Sequence, residues 1–433
     1  MPDQTIATII IIGSFLLMLL LRFPIAFSLG LSSIFTAMYL GMPLAMVAQN
    51  IVRGINTFSI MAVPFFILAG EIMSSGGIAD RLVKLADACV GWMRGGLAIV
   101  NVLDSVFFGG LSGSSAADTA SLGPILIPMM TKQGYDKDFA TAMTCATSVQ
   151  GMLIPPSHNM VIYAMVAGSV SIGALFMAGL IPGLFLAAAF IVYAFITAKK
   201  RNFPKGSPFS LKNLWVSFKG ASWGLAIVFI VVVGVISGYF TATEASALAV
   251  VWAFFVTFFV YREVPLREFW NILGRALRTV VMVMMIIGSS AAFGWLLAYL
   301  QVPKLVASSI LSLTNNKVLV LLIINAILIL FGMFMDMAAI ITITTPILLP
   351  IAMQVGMDPV HYGAMLILNL GIGVLTPPVG STLFIGAAIA KLKIEELAKA
   401  LIPFYLVMLI VLMFITFVPG ISLTIPKMLG LIK

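Results

Sequence analysis

The stretch Gly110-Leu-Ser-Gly-Ser-Ser-Ala-Ala-Asp-Thr-Ala120 begins a segment that occurs twice in this chain. Residues Gly110 to Ile172 align with Gly332 to Ile394 at a constant offset of 222 residues without a gap. Under this offset Pro155-Pro156 falls on Pro377-Pro378, inside an apolar segment in both copies. Paired interruptions at corresponding positions of two halves of a membrane protein point to a transport site. The sequence therefore predicts a duplicated protein with a polar break in each half.

The composition restricts the class of protein. Of the 433 residues, 61% are hydrophobic and 9% are charged, which excludes a soluble globular domain for most of the chain. Several apolar runs approach the roughly 20 residues that cross a bilayer as a helix. They occur at about residues 4–21, 24–40, 58–76, 172–198, 222–238, 243–261, 279–301 and 400–418. Continuous apolar helices exclude an outer-membrane barrel. We predict an all-α polytopic membrane protein.

Charge gives the predicted topology. Residues 199–219 hold six basic and no acidic residues and are expected to form a cytoplasmic linker between two repeats, 1–198 and 220–433. Each repeat is expected to contain about five transmembrane helices, a re-entrant hairpin and a broken helix. The hairpins are placed at about 97–130 and 318–352, and the broken helices at about 138–168 and 360–390. The first hairpin is expected to open to the cytoplasm and the second to the periplasm.

Five crossings per repeat invert one half relative to the other and leave both termini on the periplasmic side. Nineteen of the 24 Lys and Arg residues, Arg22 among them, then lie on the cytoplasmic side. The other five are Arg53, Lys304, Lys317, Lys427 and Lys433. Two further segments mix charged and apolar residues, as interfacial amphipathic helices do. They are Ile78 to Trp92 and, as its expected counterpart, Arg262 to Arg278.

The first hairpin tip combines glycines with hydroxyl side chains. Irregular backbone at membrane depth persists only where protein buries it or where it lines a cavity. Hydroxyl and carbonyl oxygens suit a small hard cation, so Ser112, Ser114 and Ser115 are candidate sodium ligands. Close helix packing is the alternative explanation for these small residues.

The double proline that follows the first tip frees backbone carbonyls in the preceding turn. Helix C-termini attract cations and N-termini attract carboxylates, so Ser157 and Asn159 could contact either. A plain packing kink is the alternative, although two Pro-Pro pairs at one offset argue against it.

The second copy differs chemically from the first. Asp336 aligns with Ser114, and the second break reads Leu375-Thr-Pro-Pro-Val-Gly-Ser381. An acid inside a bilayer is costly unless it is paired or wet, which predicts a second cation site at Asp336 and Thr376 with nearby carbonyls. By contrast, the isolated acids Glu71, Asp104 and Glu244 are interpreted as hydrogen-bonded structural residues. No zinc-protease, serine-hydrolase or nucleotide-loop signature is present.

The chain resembles the large membrane subunit of tripartite ATP-independent periplasmic (TRAP) transporters. The resemblance rests on the motif from Gly110 to Ala120, on Ile154-Pro-Pro-Ser157, on Gly332-Met-Phe-Met-Asp336 and on Thr376-Pro-Pro-Val-Gly380. It implies sodium-coupled uptake of a carboxylate by an elevator mechanism in the bacterial inner membrane. It also implies a periplasmic substrate-binding protein and a small four-helix membrane subunit. Only Met1 to Thr5 precede the first helix, so the small subunit is expected as a separate chain.

The resemblance assigns site residues by their numbers here. The first sodium site comprises Ser112, Ser114, Ser115, Pro155 and Ser157, and the second comprises Asp336, Thr376, Pro377 and Pro378. Substrate contacts are expected from Gly113, Asp118, Ser157, Asn159, Gly380 and Ser381, with Asp118 as a network or substrate-side residue.

The sequence thus predicts a transporter that imports an organic anion, a C4-dicarboxylate or a sugar acid such as sialic acid, with at least two sodium ions. No organic cofactor and no nucleic acid are expected. The alternatives are an ion-coupled dicarboxylate carrier that needs no binding protein and an intramembrane enzyme. The motifs do not identify which carboxylate is carried.

Overall fold

The computed structural model describes residues 3–21, 23–168, 170–206, 208–314 and 316–432. Two of the charges counted above, Arg22 and Lys433, lie outside these residues, as does the start of the segment from Met1 to Thr5. The described chain is helical, and its β-structure is limited to one isolated bridge between Arg94 and Lys205. The predicted all-α class is confirmed.

Among the described residues, eleven α-helices precede the basic connection at residues 201–210. They are α1 Gln4–Leu20, α2 Ile25–Tyr39, α3 Leu44–Ile55, α4 Ala62–Ser75, α5 Ile78–Val90, α6 Gly96–Ser112, α7 Ser115–Lys132, α8 Lys137–Thr147, α9 Gln150–Leu153, α10 His158–Ala167 and α11 Ile172–Lys200.

In the described part of the chain, ten α-helices follow this connection. They are α12 Leu211–Ile236, α13 Ala242–Phe255, α14 Phe269–Tyr299, α15 Val302–Leu313, α16 Lys317–Gly332, α17 Met337–Gln354, α18 Pro359–Gly373, α19 Ser381–Ala390, α20 Ile394–Phe417 and α21 Gly420–Met428.

Seven helical segments of the described chain are long and apolar enough to cross a membrane. They are Phe58–Ser75, Ile172–Lys200, Leu211–Ile236, Ala242–Tyr261, Leu266–Tyr299, Met337–Gln354 and Ile394–Phe417. Large apolar side chains lie exposed on their outer faces, for example Phe229 at 68% and Ile410 at 58%. Such surfaces suit contact with lipid tails.

The duplicated segments fold alike. Each holds a helical hairpin, α6–α7 or α16–α17, followed by an interrupted helix, α8–α9–α10 or α18–α19. Both Pro-Pro bonds are cis, and both lie in the interruptions. The hairpin tips are equivalent as well, because Ser114 caps the N-terminus of α7 and Asp336 caps the N-terminus of α17. Segments related by the 222-residue offset are therefore similar in local structure as well as in sequence.

Glycine pairs hold each hairpin against its interrupted helix. A Cβ added to Gly109 in α6 would lie 2.1 Å from Cα of Gly151 in α9. A Cβ added to Gly373 in α18 would lie 2.5 Å from Cα of Gly332 in α16. Since no side chain separates the backbones, hairpin and interrupted helix are in direct contact in both halves.

Some element boundaries differ from the expectation. The connection between α11 and α12 spans only residues 201–210, because both helices extend into the expected linker at 199–219. In the sequence, the basic residues at these helix ends indicated a polar linker. The long aliphatic parts of Lys and Arg side chains nevertheless allow these residues to lie on a helix near the membrane surface.

The expected partner of the amphipathic helix α5 was misplaced. Residues 262–278 do not form a separate amphipathic helix; they hold a short 3-10 turn at Leu266–Glu268 and the start of α14. The 222-residue offset carries α5 onto residues 300–312, where α15 lies. Helices α3 and α21 were not predicted, because each is too short to read as a membrane span.

Candidate functional site

The first hairpin tip lies directly on the first proline break. A Cβ on Gly113 would lie 2.9 Å from Cα of Ser157 and 3.0 Å from the carbonyl oxygen of Pro156. Gly113 has a φ of +60°, a conformation that favours glycine. The side-chain amide of Asn159 donates to the Gly113 carbonyl at 3.4 Å. The tip and the break thus bring carbonyl and hydroxyl oxygens into one small volume.

Two hydroxyls at this contact have little internal bonding. Ser157 is fully buried, and its Oγ has no hydrogen-bond partner within the described part of the chain. Ser112 is 7% exposed, and its Oγ makes only long contacts of 3.4 Å to the backbone of Ser114. A buried hydroxyl without a partner is costly, and a bound cation or a solute would satisfy it. Among the predicted ligands, Ser157 is thus without a partner in the described chain, and Ser112 has only weak ones.

Ser115 faces a different neighbour. Its Oγ lies 2.6 Å from Oγ of Ser148 and 2.9 Å from Oγ1 of Thr382, in the first turn of α19. All three hydroxyls are buried. The predicted first-site residue Ser115 therefore joins the first hairpin to the interrupted helix of the second repeat.

Asp118 lies behind the tip and not at it. The residue is fully buried in α7, where Ser105 donates to its Oδ1 at 3.3 Å and its Oδ2 has no hydrogen-bond partner among the described residues. Ser105 also contacts Thr147 at 3.1 Å, and Thr147 donates to Asn101. Of the two roles implied for Asp118, this placement favours a network residue.

The second tip is more open than the first. Asp336, Pro378 and Ser381 are exposed, whereas Gly380 is buried. The Val379 amide donates to the Met333 carbonyl at 3.1 Å and joins the break to the tip. The second break thus repeats the contact of the first while leaving its polar residues accessible.

The side chains of the second tip are partly engaged. Oδ1 of Asp336 accepts the amide of Ala338 at 2.9 Å, and Oγ1 of Thr376 donates to the Ile372 carbonyl at 2.7 Å. Pro377 lies partly buried between Thr376 and the exposed Pro378. The Asp336 carboxylate also accepts from the amides of Met337 and Ala339, and the Thr376 hydroxyl also bonds that of Tyr405.

The ligand chemistry of these sites is hydroxyl, carbonyl and single carboxylate. No cluster of three or more His, Cys, Asp or Glu side chains occurs within the described ranges. Such oxygen-rich sites fit a weakly bound hard cation better than a transition metal.

The three isolated acids have different environments. Glu71 pairs with Arg275 at 3.4 Å, and Glu244 forms a capping box with Thr241, as expected of structural residues. Asp104 is the exception: it is fully buried, and neither carboxylate oxygen has a hydrogen-bond partner in the described chain. The expectation that Asp104 is hydrogen-bonded was wrong.

Thr382 and Ser148 were missed by sequence reasoning. Under the offset Thr382 corresponds to Met160, and Ser148 corresponds to Leu370, so the repeat gave no polar signal at either position. Thr382 stands directly beside the predicted Ser381, and only the folded structure shows that its hydroxyl faces the first hairpin.

The chain matches a family model described as "Tripartite ATP-independent periplasmic transporter, DctM component" over residues 12–421. The chain belongs to this family. This DctM-family chain is 36% identical to the C4-dicarboxylate TRAP transporter large permease protein DctM of Rhodobacter capsulatus. The alignment covers 98% of this chain and 100% of that protein. It is 37% identical to the sialic acid TRAP transporter large permease protein SiaM of Vibrio cholerae, over 88% of this chain and 89% of the relative.

A third relative of this DctM-family chain is longer. It is the isethionate TRAP transporter permease protein DctMQ of Oleidesulfovibrio alaskensis, 40% identical over 96% of this chain and 65% of that protein. Among solved structures, the Alcanivorax borkumensis YdaH transporter matches with a TM-score of 0.64 at 14% identity, over 87% of this chain and 89% of the other. This structural likeness concerns the fold alone. The family model and these relatives identify the chain as a TRAP transporter large permease subunit.

Proposed function

We propose that this chain is the large membrane subunit of a sodium-coupled system that imports an organic anion across the inner membrane. The observation that carries the proposal is the paired contact of a polar hairpin tip with a proline break. One pair presents the weakly bonded hydroxyl of Ser112 and the unpartnered hydroxyl of Ser157 in the described chain, and the other presents the exposed carboxylate of Asp336. The names of the relatives point to a permease and not to an enzyme.

Sodium is a transported co-substrate in this proposal. At the first site the hydroxyls of Ser112, Ser114 and Ser157 and the carbonyl of Pro155 would surround one ion. Ser115 would hold the site through Ser148 and Thr382. At the second site Asp336, Thr376 and the carbonyls of Pro377 and Pro378 would surround another. Two bound cations lower the cost of placing a carboxylate in a medium of low dielectric constant.

The solute would bind between the two tips. Gly113, Asn159, Gly380 and Ser381 are the candidates at this position, because they flank the breaks where helix N-termini can accept a carboxylate. The relatives named for C4-dicarboxylates and sialic acid support a small carboxylate-bearing solute.

An elevator motion is part of this proposal, and the packing supports it. The two hairpins and the two interrupted helices would move as one unit, because glycine contacts join each hairpin to its interrupted helix and the Ser115–Thr382 contact joins the two halves. The long helix α14 packs on α2, α3 and α4 and would belong to the fixed part. The basic connection at 201–210 would lie in the cytoplasm and both termini in the periplasm, which inverts the two halves.

The partners would be a separate small four-helix membrane subunit and a periplasmic substrate-binding protein. The test is uptake by vesicles that contain both membrane subunits, with the binding protein loaded with radiolabelled succinate or sialic acid. An inward sodium gradient should drive uptake, and an equal potassium gradient should not. Equal uptake under both gradients would overturn sodium coupling, and uptake by this chain alone would support the standalone carrier.

A further inference from the structure

A cavity of about 320 Å³ lies on one side of the second hairpin. Its walls come from α3, α10, α14 and α17 and from the turn between α3 and α4. The volume falls at the lower end of the range of about 300–1,000 Å³ that holds small ligands. The lining is mostly apolar with a few polar groups, as in binding sites for small molecules.

Arg53 is the one charged residue among the described residues that line this cavity. It lies in the last turn of α3, is exposed, and forms none of the ion pairs found in the described chain. A guanidinium group recognises a carboxylate through two parallel hydrogen bonds. An unpaired arginine at the mouth of a concave apolar space is therefore suited to an organic anion.

Hydroxyl groups supplement the arginine. Thr57, Ser290 and Thr342 line the same cavity. The hydroxyl oxygens of Thr342 and Ser290 lie 2.8 Å apart, and because Thr342 donates its proton to the Ala338 carbonyl at 2.9 Å, Ser290 is the donor in this contact. The hydroxyl of Thr57 is exposed and adds a neutral donor beside the cation.

The two sides of the cavity differ in packing. On one side α3 and α14 are tightly joined, since a Cβ on Gly54 would lie 2.4 Å from Cβ of Ala291. The other side is formed by Ile162, Met165 and Val166 of α10 and by Thr342 and Pro346 of α17. Thr342 lies six residues after Asp336, or about 9 Å along the helix. The cavity therefore lies at the boundary between the part proposed as fixed and the part proposed as moving, near the second tip, where the contact of Thr342 with Ser290 joins α17 to α14.

We propose that this cavity is an access site for the carboxylate of the solute, held by Arg53 before the solute reaches the tips. The direction of transfer rests on the proposed function, whereas anion recognition at Arg53 rests on the cavity alone. A helix-terminal arginine also interacts favourably with the helix dipole or a lipid phosphate, so the test separates these roles.

The first experiment measures the potential in the cavity without any solute. Thr57→Cys is introduced into the full membrane complex together with Cys89→Ala and Cys145→Ala, which remove the native thiols. The introduced thiol is reacted with an anionic and with a cationic methanethiosulfonate reagent. Arg53→Gln should lower the ratio of anionic to cationic rates by about fivefold or more, because one nearby positive charge has been removed.

Lys304→Gln is the matched control, because Lys304 is an exposed basic residue of α15 on the same predicted side and does not line the cavity. It should leave the ratio unchanged. An unchanged ratio in Arg53→Gln would overturn the proposal, whether or not the complex transports anything.

The second experiment identifies the ligand. Succinate should slow modification of the introduced thiol, and its uncharged diamide should not. In uptake assays Arg53→Gln should raise the apparent KM for the anion about tenfold with little change in maximal rate, and Lys304→Gln should match the wild type. Protection by phosphatidylglycerol vesicles but not by succinate would assign Arg53 to a lipid headgroup and overturn the proposal. If no solute is taken up even by the wild type, the proposed function fails while the thiol ratio still decides on Arg53.

Discussion

The hydroxyl oxygens of Ser115 and Thr382 lie 2.9 Å apart, although 267 residues separate them in the chain. This contact links the N-terminus of α7 to the first turn of α19, so the first hairpin and the second interrupted helix meet through polar groups. Neither residue corresponds to a polar residue under the offset, because their counterparts are Met337 and Met160. The two halves are therefore joined by chemistry that the duplication itself does not supply.

The Ser115–Thr382 contact should show coupling in a double-mutant cycle. Ser115→Ala and Thr382→Val should each lower the free energy of unfolding by about 1 kcal/mol, and the double variant should lose less than the sum. Thermal unfolding of the complex in detergent measures this. Thr344→Val is the control, because Thr344 is buried and donates only within α17. Strict additivity would contradict the contact.

Asp336 combines a structural and a proposed ionic role, and three variants separate them. Asp336→Ala should lower the stability by about 1 kcal/mol through loss of the N-cap and should also abolish uptake. Asp336→Ser and Asp336→Asn should retain most of the stability, since serine caps the equivalent helix at Ser114, but should not restore uptake. Wild-type transport by Asp336→Ser would remove the second cation site.

The Ser157 hydroxyl should matter for ion binding more than for folding. Ser157→Ala removes a group without a hydrogen-bond partner in the described chain, so stability should change by less than about 0.5 kcal/mol. The sodium concentration for half-maximal uptake should rise at least severalfold. Ser148→Ala provides the comparison, because it removes a bonded hydroxyl and should cost stability. An unchanged sodium dependence in Ser157→Ala would exclude this hydroxyl as a ligand.

Sodium should stabilise the purified protein directly. A ligand at about ten times its Kd adds roughly 1.4 kcal/mol to the stability of the state that binds it. Replacing sodium chloride with potassium chloride at equal ionic strength should lower Tm in the wild type and lower it less in Asp336→Ser. Equal Tm values for the wild type in both salts would contradict sodium binding under these conditions.

Much of the fold follows from local patterns in the sequence. Some apolar runs predicted helices that lie within a few residues of the observed ones, as at residues 4–21 and α1. Larger differences arose where charge and helix coexist: α12 begins at Leu211 although Lys212 and Lys219 suggested a linker. Charge density reports a membrane boundary and not the end of a helix.

The candidate site was only partly predictable for a physical reason. The contact of Gly113 with the first break involves the paired motifs, so sequence reasoning could propose it. The contact of Ser115 with Thr382 and the Arg53 cavity depend on how distant helices pack, and neither has a local pattern. The difference between Ser114 and Asp336 was interpreted as a change of ligand. The structure shows that both residues also cap a helix, since Ser114 caps α7 and Asp336 caps α17.

The contact of Gly109 with Gly151 should not tolerate a side chain. Gly109→Ala would force a methyl group within 2.1 Å of Cα of Gly151 and should cost about 1–3 kcal/mol. Gly274→Ala in α14 is the control, because nothing lies within 4 Å of its added Cβ, and it should raise stability by about 0.5–1 kcal/mol. Tm values and folded yield of the two variants measure this. Equal effects would contradict tight packing at Gly109.

The same backbone contacts bear on how this architecture can diversify. Gly109 contacts Gly151, and Gly332 contacts Gly373, through backbone atoms alone. The contact between hairpin and break therefore does not depend on the chemistry of any side chain. Mutations at the tips can then change which ions and solutes bind without changing this backbone contact. One ancestral gene can in this way give rise to proteins that differ in solute specificity and keep the same fold.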